Sequence, residues 1–329
     1  MFLTMKLMAI APSKKMSLPP EIFTIIREYL SLRDISSLVL VSSEVNRWVN
    51  MNDIIREYHL AKDDERGCLV ISACNHGYIN LLIYLHHIKQ IIPNDAIKCA
   101  SHYGHLPMVK YLHSIGADPT VDNNYPIKWA SENGHLHIVQ YLYSVGADPT
   151  ADDNYPIIWA SRNGHLSVVE YLHSVGADVT ADDNCSIRWA SSHGHLSVVQ
   201  YLHSVGADAA ADDNCAIRLA SRKGHLSIVK YLCSVGADAA ADDNYPMKWA
   251  SYYGHLSIVK YLHSIGVDPT ANNNRSIRVA SSGGHLSIVK YLHSVGADPT
   301  VMNNTPIALA SRHGHDSVVQ YLLENGATL

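Results

Sequence analysis

An all-α solenoid of stacked helix pairs is the fold this sequence predicts, and three features predict it. The dipeptide Gly-His returns with an unvarying step of thirty residues, placing histidines at 105, 135, 165, 195, 225, 255, 285 and 315. Self-similarity at such a period marks an array in which each unit is one supersecondary element and its neighbours complete its core. Within a unit the apolar residues recur at helical spacing, as at Leu166, Val169 and Leu172. Glycines at fixed places, Gly164 and Gly176 in the same unit, stop two short helices.

The unit from Asn154 to Asp183 shows how the helices arise. Asn154 is placed to cap the first helix, and Pro156 sits where a helix start tolerates a missing amide hydrogen. Ile157 and Ala160 share one face, and Gly164 closes the helix. The second helix carries the Leu166, Val169, Leu172 stripe, widened by Val168 and Val175, and ends at Gly176. Helices of about a dozen residues are marginal alone in water. They gain stability by burying Ile, Val and Leu against the next unit, at roughly 1.5 to 3 kcal/mol per side chain.

In chain order, residues 1–15 read as a disordered extension: a short apolar run is interrupted by Lys6, and Lys14 and Lys15 follow it on the wrong side for a signal peptide. Residues 16–50 read as three short helices. Pro19 and Pro20 open the first, with Ile22, Ile26 and Leu30 as its stripe; Asp34 caps the second, with Ile35, Leu38 and Val41; Val45 and Trp48 mark the third. Residues 51–68 read as a connecting helix with no Gly/Ser-rich spacer, hence a fixed arm. The array occupies 69–329 as about nine units. Its first copy is degenerate but keeps Ala73, Leu81, Leu82 and Leu85. Its last carries Asp316, Glu324 and Asn325, the polar residues that a terminal cap needs.

Two resemblances follow from these residues. The string GHLSVVEYLHSVGAD at 164–178, with the preceding Tyr-Pro-Ile and Ala-Ser steps, resembles an ankyrin repeat. That resemblance implies helix-turn-helix units joined by a projecting hairpin and used to bind proteins. The period is 30 where that family commonly has 33, and the missing residues fall around Ala181 to Asn184, so a shortened finger is expected. Repeats of this wording are similar to those of ankyrin proteins from giant amoeba-infecting DNA viruses. The segment LPPEIFTIIREYLSLRDISSLVLVSSEVNRW resembles the F-box motif, which implies docking on a Skp-type adaptor of cullin-RING ubiquitin ligases through Leu18, Pro19, Ile22, Leu30, Ile35, Val41 and Trp48. The same helices would also serve as a plain cap over the first unit.

Composition narrows the remaining classes. Lys and Arg number 25 against 30 Asp and Glu, a net charge of -5 that gives no general attraction to nucleic acid. No unbroken apolar run is long enough for a membrane span. Six cysteines without a CxxC spacing point to free thiols in a reducing, intracellular setting, the cytoplasm, or a host's cytoplasm for a viral chain. Cys185 and Cys215 share a register in adjacent units, and stacked helices roughly 8 to 10 Å apart hold them beyond disulfide reach. A monomer is expected.

No residue set carries chemistry. The 21 histidines fall mostly into two registers, whose stacking distance of roughly 8 to 10 Å prevents convergence on one metal ion. Each Gly-His imidazole is expected to bridge backbone groups at the turn. Ser227/Lys230, Ser257/Lys260 and Ser287/Lys290 copy an acyl-transfer pattern, but three repetitions mark it as architecture. No cofactor and no enzymatic activity are expected. Trp129, Trp159, Trp189 and Trp249 share a position with Cys99, Leu219, Val279 and Leu309, which reads as core between units. Beside it lies a basic register, Lys98, Lys128, Arg188, Arg218, Lys248 and Arg278, open to target binding or to pairing with the acidic residues of the loops. The two residues before each turn glycine vary freely, and Tyr103, Tyr252 and Tyr253 there are candidate target contacts. The expected function is protein binding without catalysis, either as the substrate-recruiting adaptor of a cullin-RING ligase or, alternatively, as a stand-alone scaffold or a structural virion component.

Overall fold

The structure, a computed structural model, describes residues 69–329. The disordered extension, the F-box-like positions Leu18 to Trp48 and the connecting helix of the sequence reading lie outside the described residues. Among those described there are eighteen helices and no strand. They form two compact units, one holding residues up to 130 with 140–147, the other holding 131–139 with 148–329.

In the first unit α1 (Leu69–His76), α2 (Ile79–His87), α3 (Asp95–His102) and α4 (Leu106–Ser114) pack as two antiparallel pairs, α1 against α3 and each on its own partner. Their core is Ala73, Leu81, Leu82, Ile97, Met108 and Leu112, all fully buried, so the degenerate first copy is a true member of the array. Helices α5 (Val121–Glu132) and α6 (Leu136–Ser144) follow.

The second unit continues with α7 (Ala151–Arg162), α8 (Leu166–Ser174), α9 (Ala181–His193), α10 (Leu196–Ser204), α11 (Ala211–Lys223), α12 (Leu226–Ser234), α13 (Ala241–Tyr252), α14 (Leu256–Ser264), α15 (Ala271–Ser282), α16 (Leu286–Ser294), α17 (Val301–Arg312) and α18 (Asp316–Glu324). Odd-numbered helices form one layer and even-numbered helices a second, each stacking on the next copy. The expected stripes are the core: Ile157, Ala160, Val168, Val169 and Leu172 have no solvent exposure, and the later copies repeat them, with Met247 for the first isoleucine in one and with Val319 half-buried in the last.

Each repeat is stitched to the one before by its Gly-His turn. Gly194 has φ +88, and a Cβ there would stand 2.8 Å from Cε1 of His225 in the next repeat. Glycine is therefore required twice, by its backbone angle and by the imidazole seated over it. The Nε2 of His225 bonds the Ser192 carbonyl at 3.1 Å, and His165, His255, His285 and His315 make the same bond to Glu132, Arg222, Tyr252 and Ser282. The imidazole thus bridges two repeats. A second ladder runs between the even-numbered helices, where His173 meets the Tyr201 hydroxyl at 2.9 Å, His203 meets Tyr231, His263 meets Tyr291 and His293 meets Tyr321.

The projecting finger is not merely shortened; a left-handed turn replaces it. Three successive residues open each odd-numbered helix from α5 onward with positive φ, for example Asp182 (+51), Asp183 (+50) and Asn184 (+62). Seven such runs recur at 122–124, 152–154, 182–184, 212–214, 242–244, 272–274 and 302–304. Left-handed backbone costs roughly 1 to 2 kcal/mol per ordinary L-residue, and Asn and Asp are the non-glycine residues that bear it best. The sequence supplies them at all but one of these places, Met302 being the exception. Asn154 consequently does not cap α7. Its Oδ1 accepts from the Asp178 amide at 2.9 Å, tying the start of its repeat to the end, and Asn184, Asn214 and Asn274 repeat the bond. Asp178 then takes the amide and hydroxyl of Thr180 at 2.8 and 2.7 Å, setting the chain's entry into the next left-handed turn.

Candidate protein-binding surface

The residues with recognition chemistry lie on the odd-numbered helices. One helical residue turns through about 100°, so a side chain two places beyond Ile187 stands about 200° around the axis from the core. That is where Trp189 is, 38% exposed, while Trp129, Trp159 and Trp249 are half-buried. The reading of this tryptophan register as core between units is therefore corrected: Ile and Ala fill the core, and the indoles line the outer face.

Spacings of four along that face bring aromatic rings together. In the first unit of the fold Tyr125 meets Trp129 edge-on at 4.8 Å, and His102 meets Trp129 at 4.9 Å beside exposed Tyr103. In the second unit Tyr155 stacks on Trp159 with centroids 5.1 Å apart. The Arg162 guanidinium lies 4.3 Å from the Trp159 ring and 4.9 Å from Trp189 of the following repeat, a cation clamped between two indoles. Arg222 repeats the motif over Trp249 and Tyr253, each at 5.5 Å. Tyr252 and Tyr253 flank Trp249 at 5.5 and 5.6 Å, and both remain exposed. A cleft of about 650 Å³ opens between α7 and α9, with Tyr155, Trp159 and Trp189 as its aromatic wall, Arg162 with Asp152, Asp153 and Asp182 as its charges and Cys185 in its lining.

The basic register is mostly spoken for within the fold. Lys98 pairs with Asp95 at 2.6 Å and with Asp122 of the next repeat. Those hydrogen bonds push its pKa above the usual lysine value. Arg188 meets Asp212 at 2.5 Å and Arg218 meets Asp242 at 3.4 Å, again one repeat on. Lys128 is buried with its ammonium 4.7 Å from the Tyr125 ring. Lys248 lies over the Trp249 ring at 4.9 Å, and burial together with Arg275 lowers its pKa. Arg278 contacts the sulfur of Met302. Of the sequence candidates, the exposed ones are therefore Tyr103, Tyr252 and Tyr253; exposed Trp189 and half-buried Arg162 join them, and the tryptophan register with Arg162 three residues after Trp159 was the available sequence signal.

Burial raises the pKa of the Cys185 and Cys215 thiols, and none of the five described cysteines is in a disulfide. Lys230, Lys260 and Lys290 lie over tyrosine rings of the next repeat, at 5.6, 5.5 and 5.4 Å. Among the described residues no group of three His, Cys, Asp or Glu side chains could hold a metal ion, and no helix is long and apolar enough to cross a membrane.

The family model for ankyrin repeats (3 copies) matches residues 69–153, 96–183, 187–273 and 247–329. The chain belongs to the ankyrin-repeat family. No curated protein matches it. Ankyrin repeats are a protein-interaction architecture.

Proposed function

We propose that this protein holds a protein ligand on the aromatic face of its odd-numbered helices, centred on Trp159, Arg162, Trp189, Tyr252 and Tyr253. The observation that carries the reading is Trp189, a large ring left 38% exposed with a guanidinium already seated beside it. Trp, Tyr and Arg dominate binding energetics, because rigid rings and planar cations bury much area at little entropic cost. Truncating such a contact costs about 2 kcal/mol or more, close to thirtyfold in affinity. The expected result is that a partner captured by affinity purification is lost from Trp189→Ala and retained by Ser227→Ala, which lies on an exposed face of α12 away from the rings. Equal capture by both variants would refute the assignment.

The sequence of residues 16–50 supports a finer reading, in which the captured protein is presented to a ubiquitin ligase. Leu18, Pro19, Ile22, Leu30, Ile35, Val41 and Trp48 supply the apolar anchors for a Skp-type adaptor, and an isolated three-helix segment of that size buries too little surface to be self-sufficient. Replacing Leu18 and Pro19 by Ala is expected to abolish binding of a purified Skp-type adaptor while the array's melt stays unchanged. Wild-type protein that binds no such adaptor returns the function to a stand-alone scaffold.

A further inference from the structure

Along the second unit the charge pattern loses its acid at two successive repeats, and a groove lies there. Arg188 and Arg218 each reach a carboxylate 24 residues on, Asp212 and Asp242, at the first left-handed position of the next repeat. One repeat later the sequence keeps the base and withdraws the acid. Opposite Lys248 stands Asn272, and opposite Arg278 stands Met302. A third cation, Arg275, occupies the position held by Tyr155, Cys185, Cys215, Tyr245 and Thr305 in the other repeats. Lys248, Arg275 and Arg278 line a single groove of about 420 Å³ with Asn272, Asn273 and Tyr245, and with Asp242 and Asp243. Asp242 is already drawn to Arg218. Among the described residues no carboxylate forms an ion pair with any of the three cations.

We infer that this groove is a docking site for a single oxyanion, a carboxylate or a phosphate, carried on an extended segment of a protein partner. The chemistry suits it: two guanidiniums can present forked donors, the Asn272 and Asn273 amides can add neutral ones, and the half-burial of Lys248 and Arg278 strengthens their charge interactions relative to water, while Arg275 is exposed. Burial first and Arg275 second lower the Lys248 pKa against the opposing pull of Asp242 and Asp243, and a bound anion would offset the repulsion from Arg275. A nucleic-acid backbone is the poorer occupant. It offers a line of phosphates and needs a line of cations, whereas the neighbouring turns of this surface carry Asp212, Asp213, Asp242 and Asp243. The identity of the oxyanion's carrier rests on the protein-binding reading above; the site itself does not.

The test uses the full chain and three fluorescent decapeptides of one backbone, bearing glutamates, phosphoserine or glutamines, followed by anisotropy. Tighter binding of a glutamate or phosphoserine peptide than of the glutamine peptide, by tenfold or more, is expected, and whichever binds names the source of the oxyanion. The decisive variant is Asn272→Asp combined with Met302→Asp. It restores the two missing carboxylates at left-handed positions that Asp occupies in other repeats, so the protein should fold at least as well and bind the anionic peptide at least tenfold more weakly. Undiminished binding by that variant, equal binding of the glutamine peptide, or preferential and variant-insensitive binding of a single-stranded oligonucleotide would each overturn the inference. Trp189→Ala should leave these peptides bound while losing the captured partner, so failure of the oxyanion site and failure of the aromatic surface are read separately.

Discussion

The Gly-His turn makes a claim about coupling that a mutant cycle can measure. In Gly194→Ala the new methyl group would adopt φ +88 and stand 2.8 Å from the His225 ring, inside any tolerable contact. The backbone term alone costs about 1 to 2 kcal/mol. The imidazole must also move, losing its 3.1 Å bond to the Ser192 carbonyl and leaving a part-buried acceptor unmet, about another 1 to 3 kcal/mol. The single substitution should therefore destabilise the array by about 2 to 5 kcal/mol, the sum of those two terms. In a His225→Ala background the ring is absent, and the same change should cost only the backbone term. The coupling energy from urea unfolding followed by circular dichroism should thus be about 1 to 3 kcal/mol. If Gly194→Ala costs the same in both backgrounds, the imidazole is not what holds the glycine in place.

Three further outcomes follow from the same structure. In-frame removal of residues 184–213, one thirty-residue period, should leave a folded, slightly less stable array, because neighbours with equivalent faces meet across the gap; loss of all helical circular dichroism would contradict the stack. Asp183→Val, forced to φ +50, should cost about 1 to 2 kcal/mol in chemical denaturation, whereas Asp183→Gly should be near neutral because relief of backbone strain offsets glycine's entropy. Burial, ahead of nearby His193, His165 and His225, lowers the pKa of His195 below its ordinary 6.5. The unfolded chain then binds the extra proton, so this stabilisation is complete above that value and is lost as pH falls through the lower folded pKa. His195→Gln should flatten the acid side of the melting-temperature profile, and an unchanged profile would remove burial as the cause.

The array was legible because its signals are local and repeated: glycines end helices, and the Ile, Ala, Val and Leu stripes lie on one face of each, where periodicity reads them directly. Three features were not. The left-handed turn needs three consecutive residues in a region that side chains avoid, and a run such as Asp182, Asp183, Asn184 carries the same composition as a hairpin tip or a helix cap. The histidine ladder joins residues 28 apart on different helices, so His173 and Tyr201 each read as ordinary members of their own helix. The tryptophans were misplaced because apolar occupants at one register suggest a core, although the angular offset from Ile157 to Trp159 already puts the indole on the opposite face. On the candidate surface, Tyr103, Tyr252 and Tyr253 were found from their variability, while Arg162 was passed over as one more variable residue.

Strict repetition and specialisation are reconciled by where the chain departs from its own pattern. Core positions hold Ile, Val, Leu, Met and Ala in every copy, because truncating one would cost about 2 to 5 kcal/mol. Surface ion pairs contribute about 0 to 1 kcal/mol each, so losing one hardly affects the fold. The charge register is broken at such inexpensive places. Ile158 replaces a base, and Asp182, 24 residues on, forms no ion pair among the described residues and lines the aromatic cleft with Trp159 and Trp189. Asn272 and Met302 replace acids, and Lys248 and Arg278 line the oxyanion groove. One break leaves Asp182, with Asp152 and Asp153, beside three aromatic rings and Arg162; the other leaves three bases beside two amides and the carboxylates of Asp242 and Asp243. An array that kept every pair would present a surface neutralised from end to end, and these substitutions are what give it two chemically distinct places at which a partner could be told apart.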